Sequence, residues 1–227
     1  MHLSSVQPQH YVLDSGPADS LLIGMIAPYK AEMEVKMDEV IGQCAVSLYK
    51  DKPVGTLGSW ACDAVAMEVA AVTGNPVDFV VLNYGGLRIS ELAPGPVTVG
   101  EIYELMPFDN MVTILEGDGR VVQQLFDFIA ATGGWPVSKD VRFGIRDGIA
   151  VQPLVGGASL DPDRSYRFVV PDYLANGGDN LIILTVLPRE SPDLLIRDAL
   201  IMHVRRAARE GKPVSAAPDD RIYIAKN

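Results

Sequence analysis

The chain has 227 residues, with 29 acidic and 19 basic side chains, and so carries a formal charge of −10. That balance opposes a nucleic-acid surface, which gains most of its affinity by neutralising phosphates with Lys and Arg. At 48% hydrophobic and 21% charged residues the composition is globular, and the length suits a single domain with a sizeable core.

The N-terminal stretch Met1 to Asp14 is polar, with no apolar core of the kind a signal peptide carries, so residues 1–18 read as a polar leader and 19–227 as one domain. Residues 19–40 have helical character. Val46 to Leu48 reads as a short strand, and 57–73 as a helix placing Trp60, Ala64, Met67 and Ala71 on one face. Asp78 to Leu82 is apolar after its first residue, the signature of a strand buried on both faces.

Thr98 and Glu101 form a capping box at the start of a short helix that ends at Pro107. Met111 to Leu115 reads as a strand, Glu116 to Gly119 as a turn, and 120–131 as a helix burying Val121, Val122, Leu125, Phe126 and Ile129. The alternation around Asp147-Gly148 predicts a hairpin. Tyr166 to Val170 and Leu181 to Val186 are two more expected strands. Ser191-Pro192-Asp193 opens a last helix, with Leu195, Ala199 and Met202 inward, that Gly211 and Pro213 close. The basic run Arg205 to Arg209 is its solvated end.

No apolar run approaches the roughly 20 residues needed to span a bilayer as a helix; the longest, Leu181 to Leu187, is interrupted by Thr185. Cys44 and Cys62 match no metal or redox spacing and read as small buried residues. His2, His10 and His203 are scattered and form no metal-binding pair.

Three loops combine a turn signal with ligand-holding side chains. Asn83-Tyr84-Gly85-Gly86-Leu87-Arg88 follows the buried strand; its glycines permit close backbone approach or a positive φ, and Arg88 offers a planar fork of donors to an anion. Met106-Pro107-Phe108-Asp109-Asn110 presents a ring at a helix-to-strand turn. Pro171 to Asn180 places Tyr173 six residues ahead of Asp179. Each loop alone has a bland reading: a turn, a core Phe, a capping acid. Together, two rings, one arginine and one carboxylate suit a nucleoside phosphate, with base stacking, acceptance from ribose hydroxyls, and an anion partner.

The ordered set Gly42, Gly58-Ser59-Trp60-Ala61-Cys62-Asp63-Ala64, Asn83 to Arg88, Pro94 to Thr98, Pro107 to Asn110, Tyr173 to Asp179, Asp198-Ala199-Leu200 and Asp220-Arg221-Ile222 resembles the C-terminal domain of the 5′-nucleotidase family. That resemblance spans roughly Ile41 to Ile222. It implies a mixed α+β fold in a single layered domain of α/β/β/α type. It also implies a substrate-binding role: Phe108 and Tyr173 stacking on the base, Asn83 and Arg88 contacting substrate with Arg88 at the phosphate, and Asp179 on the ribose. Gly85, Gly86, Asn176 and Gly178 would shape the loops.

Four positions depart from the family pattern. Tyr84 replaces the first loop glycine, either narrowing the site or adding a ring. Thr56 stands near a second phosphate-binding arginine of some relatives, Asn180 replaces a frequent glycine, and Tyr173 replaces a common Phe.

The family's hydrolysis is done by a metallophosphoesterase domain holding two divalent metals, whose Asp-x-His, Gly-Asn-His-Asp and Gly-His-x-His patterns do not occur here. The expectation is therefore a nucleotide-binding specificity domain with no catalytic residue, metal ligand or cofactor of its own, acting with a separately encoded metallophosphoesterase. DNA, RNA and a membrane span are not expected as partners. A periplasmic or extracellular location is implied only by the family. Two alternatives stay open: a ligand-free interaction module, or the same fold serving another phosphoester or a sulfur ester.

Overall fold

The computed structural model describes residues 20–226; the expected leader 1–18 lies outside them. They divide into two compact units, one ending at Lys36 and one beginning at Met37. In the first unit, Ser20–Met37 (α1) is a helix despite Pro28 inside it. The pairs Lys30–Glu34 and Lys36–Glu32 run one turn apart along its surface.

The second unit begins with the strands Val40–Cys44 (β1) and Leu48–Tyr49 (β2), then the helix Thr56–Thr73 (α2), which Gly74 ends at φ 71°. Phe79–Val80 (β3), Glu91–Leu92 (β4) and Gly95–Thr98 (β5) follow. Val99–Leu105 (α3) starts on the expected capping box, with both Thr98 and Glu101 bonds present. Val112–Asp118 (β6) runs straight into Gly119–Ala131 (α4), because the Asp118 side chain accepts from the Val121 N–H and caps the helix. The expected turn at Glu116 to Gly119 is therefore absorbed into a strand and a cap.

Val141–Arg146 (β7) and Ile149–Val155 (β8) form the expected hairpin, with Asp147 and Gly148 both at positive φ. Ala158–Ser159 (β9), Ser165–Pro171 (β10) and Asp172–Ala175 (α5) lead to Arg189–Glu190 (β11), Ile196–Arg209 (α6) and Ile222–Ile224 (β12).

The expected strand at Leu181 to Val186 is not one: Ile182–Leu184 is a 3₁₀ turn. Leu181 and Leu184 are buried while Ile182 and Val186 are exposed, which is the three-residue spacing of a 3₁₀ turn and not the alternation of a strand. Helix faces also shift. On α2 the buried residues include Leu57, Trp60, Ala61, Ala64, Val65 and Val69, with Met67 exposed; on α6 Ile196, Ala199, Leu200 and Val204 are inside and Met202 is exposed.

The organising layer is the sheet β11-β6-β10-β3, in which β10 runs parallel to β3 and antiparallel to β6. Alternate side chains enter separate cores. Val80, Leu82, Val169, Val112 and Ile114 pack with α2, α3 and α6; Phe79, Val81, Phe168, Val170 and Leu115 pack with α4 and the second sheet, β12-β7-β8-β9. Phe168, Phe79, Phe126 and Phe143 form a row of ring contacts at 4.9, 5.4 and 5.1 Å through this second core. Truncating one such ring to Ala costs about 3–5 kcal/mol. The result is the expected mixed α+β architecture, with a central sheet covered on both faces.

This topology fixes where loops converge. Parallel β3 and β10 end at the same edge, and antiparallel β6 begins there. The loops after β3, before β6 and after β10 therefore emerge side by side. They are the three loops singled out from the sequence.

Candidate functional site

At that edge lies a cavity of about 270 Å³ lined by Asn83, Gly85, Gly86, Phe108, Asn110, Tyr173 and Asp179. This is near the small end of ligand pockets, which run from about 300 to 1,000 Å³. Phe108 and Tyr173 are 49% and 47% exposed. A half-exposed ring on a cavity wall contributes little to the core, so neither position is explained by packing.

The polar groups of the cavity hold one another. The Asp179 carboxylate accepts from Asn83 Nδ2 at 2.8 Å and from the Tyr173 hydroxyl at 3.0 Å, and the Asp179 N–H donates to that hydroxyl at 3.2 Å. Asp179 sits at φ 51°, ψ 25° and Asn180 at φ 67°. Non-glycine residues adopt this region at a cost of roughly 1–2 kcal/mol, and such conformations cluster where surrounding structure fixes a side chain for use. Here the bonds from Asn83 and Tyr173 are that structure.

Glycines admit the close approaches. A Cβ on Gly178 would stand 2.5 Å from the Tyr173 ring, so only glycine lets that ring lie against the backbone. At Gly85 and Gly86 a Cβ would meet the Asn83 side chain at 3.2 Å, and neither residue has a positive φ. Close packing on Asn83, not a left-handed turn, explains this pair.

Two expected site residues stand apart from the cavity. Asn176 accepts from Arg189 Nη1 at 2.9 Å and so anchors the loop from outside. Arg88 lines a separate basin with Lys50, Asp51, Lys52, Tyr84, Ile89 and Ser90. The two are adjacent, because the Arg88 guanidinium lies 5.7 Å from the Phe108 ring centre. Tyr84 neither narrows the cavity nor supplies a stacking ring. It packs between the two cores, its hydroxyl donates to the Asp51 carbonyl, and burial pushes the pKa of that hydroxyl up to about 12.

Asn110, at the end of the second loop, lines the cavity, whereas Lys50 and Lys52, which line the basin, carry no signal in the sequence. Lys50 donates to the Leu87 carbonyl at 2.7 Å, and burial together with nearby Arg88 holds its ammonium below the usual lysine value. Among the described residues no ion pair joins Lys50, Lys52 or Arg88 to a carboxylate side chain. Thr56 serves the fold, its hydroxyl accepting from the Tyr49 N–H at 2.9 Å. Cys44 and Cys62 are buried free thiols, and burial pushes the Cys62 thiol up.

Among the described residues no group of three or more His, Cys, Asp or Glu side chains is placed to hold a metal ion. No described helix is long and apolar enough to cross a membrane.

Residues 40–186 match the family described as the 5′-nucleotidase C-terminal domain. The chain belongs to that family. It is 26% identical over 174 residues to a 5′-nucleotidase of Vibrio vulnificus, a match covering 75% of this chain and 31% of the relative. It thus spans about a third of that protein. In fold, it resembles a 5′-nucleotidase precursor from Thermus thermophilus, with a TM-score of 0.74 at 22% identity over 93% of this chain and 44% of the other. It also resembles the NAD nucleotidase of Haemophilus influenzae, at 0.66 and 18% identity over 92% and 42% of the two chains.

The motifs outside the cavity have structural work. A Cβ on Gly58 would stand 2.7 Å from Pro136, and one on Gly42 2.6 Å from Val204. Asp63 and Arg221, from motifs 158 residues apart, pair at 3.1 and 3.2 Å, and Arg221 also donates to the Val137 carbonyl at 2.8 Å.

Proposed function

We propose that this domain binds a nucleotide, with the base between Phe108 and Tyr173, ribose hydroxyls on Asp179 and the phosphate toward Arg88, Lys50 and Lys52. The observation that carries the reading is the convergence, at one sheet edge, of two half-exposed rings, a pre-positioned carboxylate and an adjoining cationic basin. Family membership supports it. Phosphoester hydrolysis would be supplied by a metallophosphoesterase outside these 227 residues, whether on the same polypeptide or on a separate one. There the metals would activate water and clamp the phosphate, while this domain selects and holds the substrate.

Stacking at about 0.5–1.5 kcal/mol per ring and a charged hydrogen bond at about 1.5–3 kcal/mol support dissociation constants of roughly micromolar to millimolar. Titration calorimetry with AMP, adenosine and a pyrimidine nucleotide tests this directly. Affinity unchanged by Phe108→Ala combined with Tyr173→Ala would refute the base clamp. Phosphate release from AMP should require added metallophosphoesterase.

A further inference from the structure

Phe108 is held by a residue that does not line the cavity. Helix α3 ends at Leu105, and the carbonyls of Met106, Pro107 and Phe108 lie just beyond it. Arg197, in the first turn of α6 and 6% exposed, donates from Nη1 to the carbonyls of Met106, Pro107 and Phe108 at 3.3, 3.3 and 3.4 Å. Its Nη2 donates to Asp109 at 2.6 Å, and its guanidinium lies 4.1 Å from the centre of the Tyr103 ring. The chain on either side is laced to the same loop: Val112 N–H donates to the Leu194 carbonyl at 2.8 Å and Ile196 N–H to the Asn110 carbonyl at 2.9 Å.

Burying a guanidinium is expensive, and for stability alone a well-packed apolar side chain would serve as well or better. Here the cost is incurred with Arg197 Nε left without a partner. What the charge provides is a planar fork at the negative end of α3, matched to several carbonyls at once. The same turn anchors the anion-facing side of the site, because the Arg88 N–H donates to the Leu105 carbonyl at 2.9 Å. Arg197 also lies beyond residue 186, where the family match ends.

We propose that Arg197 is a positioning residue, which fixes the Phe108 ring on the cavity wall and so sets ligand affinity without touching the ligand. Its effect on affinity rests on the nucleotide-binding reading; its effect on the ring does not.

Labelling the six phenylalanines with 4-fluorophenylalanine separates the two. Phe79, Phe126, Phe128, Phe143 and Phe168 all pack in the opposite core and serve as internal controls, and Phe108→Leu assigns the remaining fluorine resonance. In Arg197→Lys and Arg197→Met the Phe108 resonance should move or broaden while the other five stay in place. Should neither variant fold, Asp109→Asn, at an exposed side chain, should disturb the same resonance. An unmoved Phe108 signal, or displacement of all six, overturns the proposal.

In calorimetry, Arg197→Lys should weaken adenosine and AMP by about two- to tenfold, the range of a single aromatic contact, and should have no further effect in a Phe108→Ala background. Equal losses in both backgrounds would show a role that does not pass through the ring. Absence of nucleoside binding in the unmodified protein would remove the nucleotide reading and leave the fluorine result to decide the positioning role.

Discussion

Replacing Tyr173 with Phe separates the stacking proposed for its ring from the hydrogen bonds made by its hydroxyl. The ring keeps its stacking face, but the hydroxyl that accepts from the Asp179 N–H at 3.2 Å and donates to its carboxylate at 3.0 Å is lost. A hydrogen bond contributes about 0.5–1.5 kcal/mol, more when one partner is charged, and the half-exposed setting places the combined effect near 1 kcal/mol. For a protein of this size that lowers Tm by about 2–4 °C. The larger consequence concerns conformation. Asp179 stands at φ 51°, and without the hydroxyl only Asn83 holds its side chain there. Restoring that arrangement on binding costs up to about 1 kcal/mol, or roughly fivefold in affinity. Titration calorimetry should therefore show adenosine and AMP weakened about fivefold, while adenine, which has no ribose, binds Tyr173→Phe as it binds the unmodified protein. Equal loss for adenine and adenosine, or no loss for either, would refute the assignment of Asp179 to the ribose and of the hydroxyl to Asp179.

Three further outcomes follow from the same geometry. Gly178→Ala puts a methyl 2.5 Å from the Tyr173 ring, so it should cost about 1–3 kcal/mol in thermal or denaturant unfolding and weaken adenine itself. Arg88→Ala should weaken AMP by about tenfold or more while sparing adenosine, and Lys50→Ala should act in the same direction with a smaller effect; calorimetry at rising salt should narrow the AMP-to-adenosine difference. His203 packs edge-on to Trp60 between Glu68 and Arg206, and burial holds its imidazole below the usual value despite Glu68. The unfolded chain therefore takes up a proton near pH 6.5 that the folded chain still refuses. Stability should fall as pH drops below about 6.5 until the folded imidazole protonates, and the fall, read as Tm, should shrink in His203→Gln.

Local chemistry made much of the fold legible. The capping box at Thr98, the Asp147-Gly148 turn and the apolar stripe of α4 each act within a few residues, and each is found where the sequence puts it. Where sequence and structure differ, the cause lies outside the segment's own composition. Leu181 to Leu184 has strand composition, yet Asp179 and Asn180 at positive φ turn the chain into 3₁₀ geometry. The buried side of α2 is decided by what approaches it, such as Pro136 against Gly58, and not by its own periodicity.

The candidate site divides in the same way. Asn83, Phe108, Tyr173 and Asp179 were legible because glycines, turns and rings mark loops, and the order of β6, β10 and β3 then brings those loops to one edge. Lys50 and Lys52 carry no such mark. Their meaning comes from three dimensions. In a chain of charge −10, many arginines are taken by carboxylates, as Arg120, Arg142, Arg164 and Arg167 are. Lys50, Lys52 and Arg88 instead share a basin, and burial together with nearby Arg88 holds the Lys50 ammonium below the usual lysine value. Against a net charge of −10, Lys50, Lys52 and Arg88 gather positive charge in one basin beside the cavity, a local field opposite in sign to the protein's average.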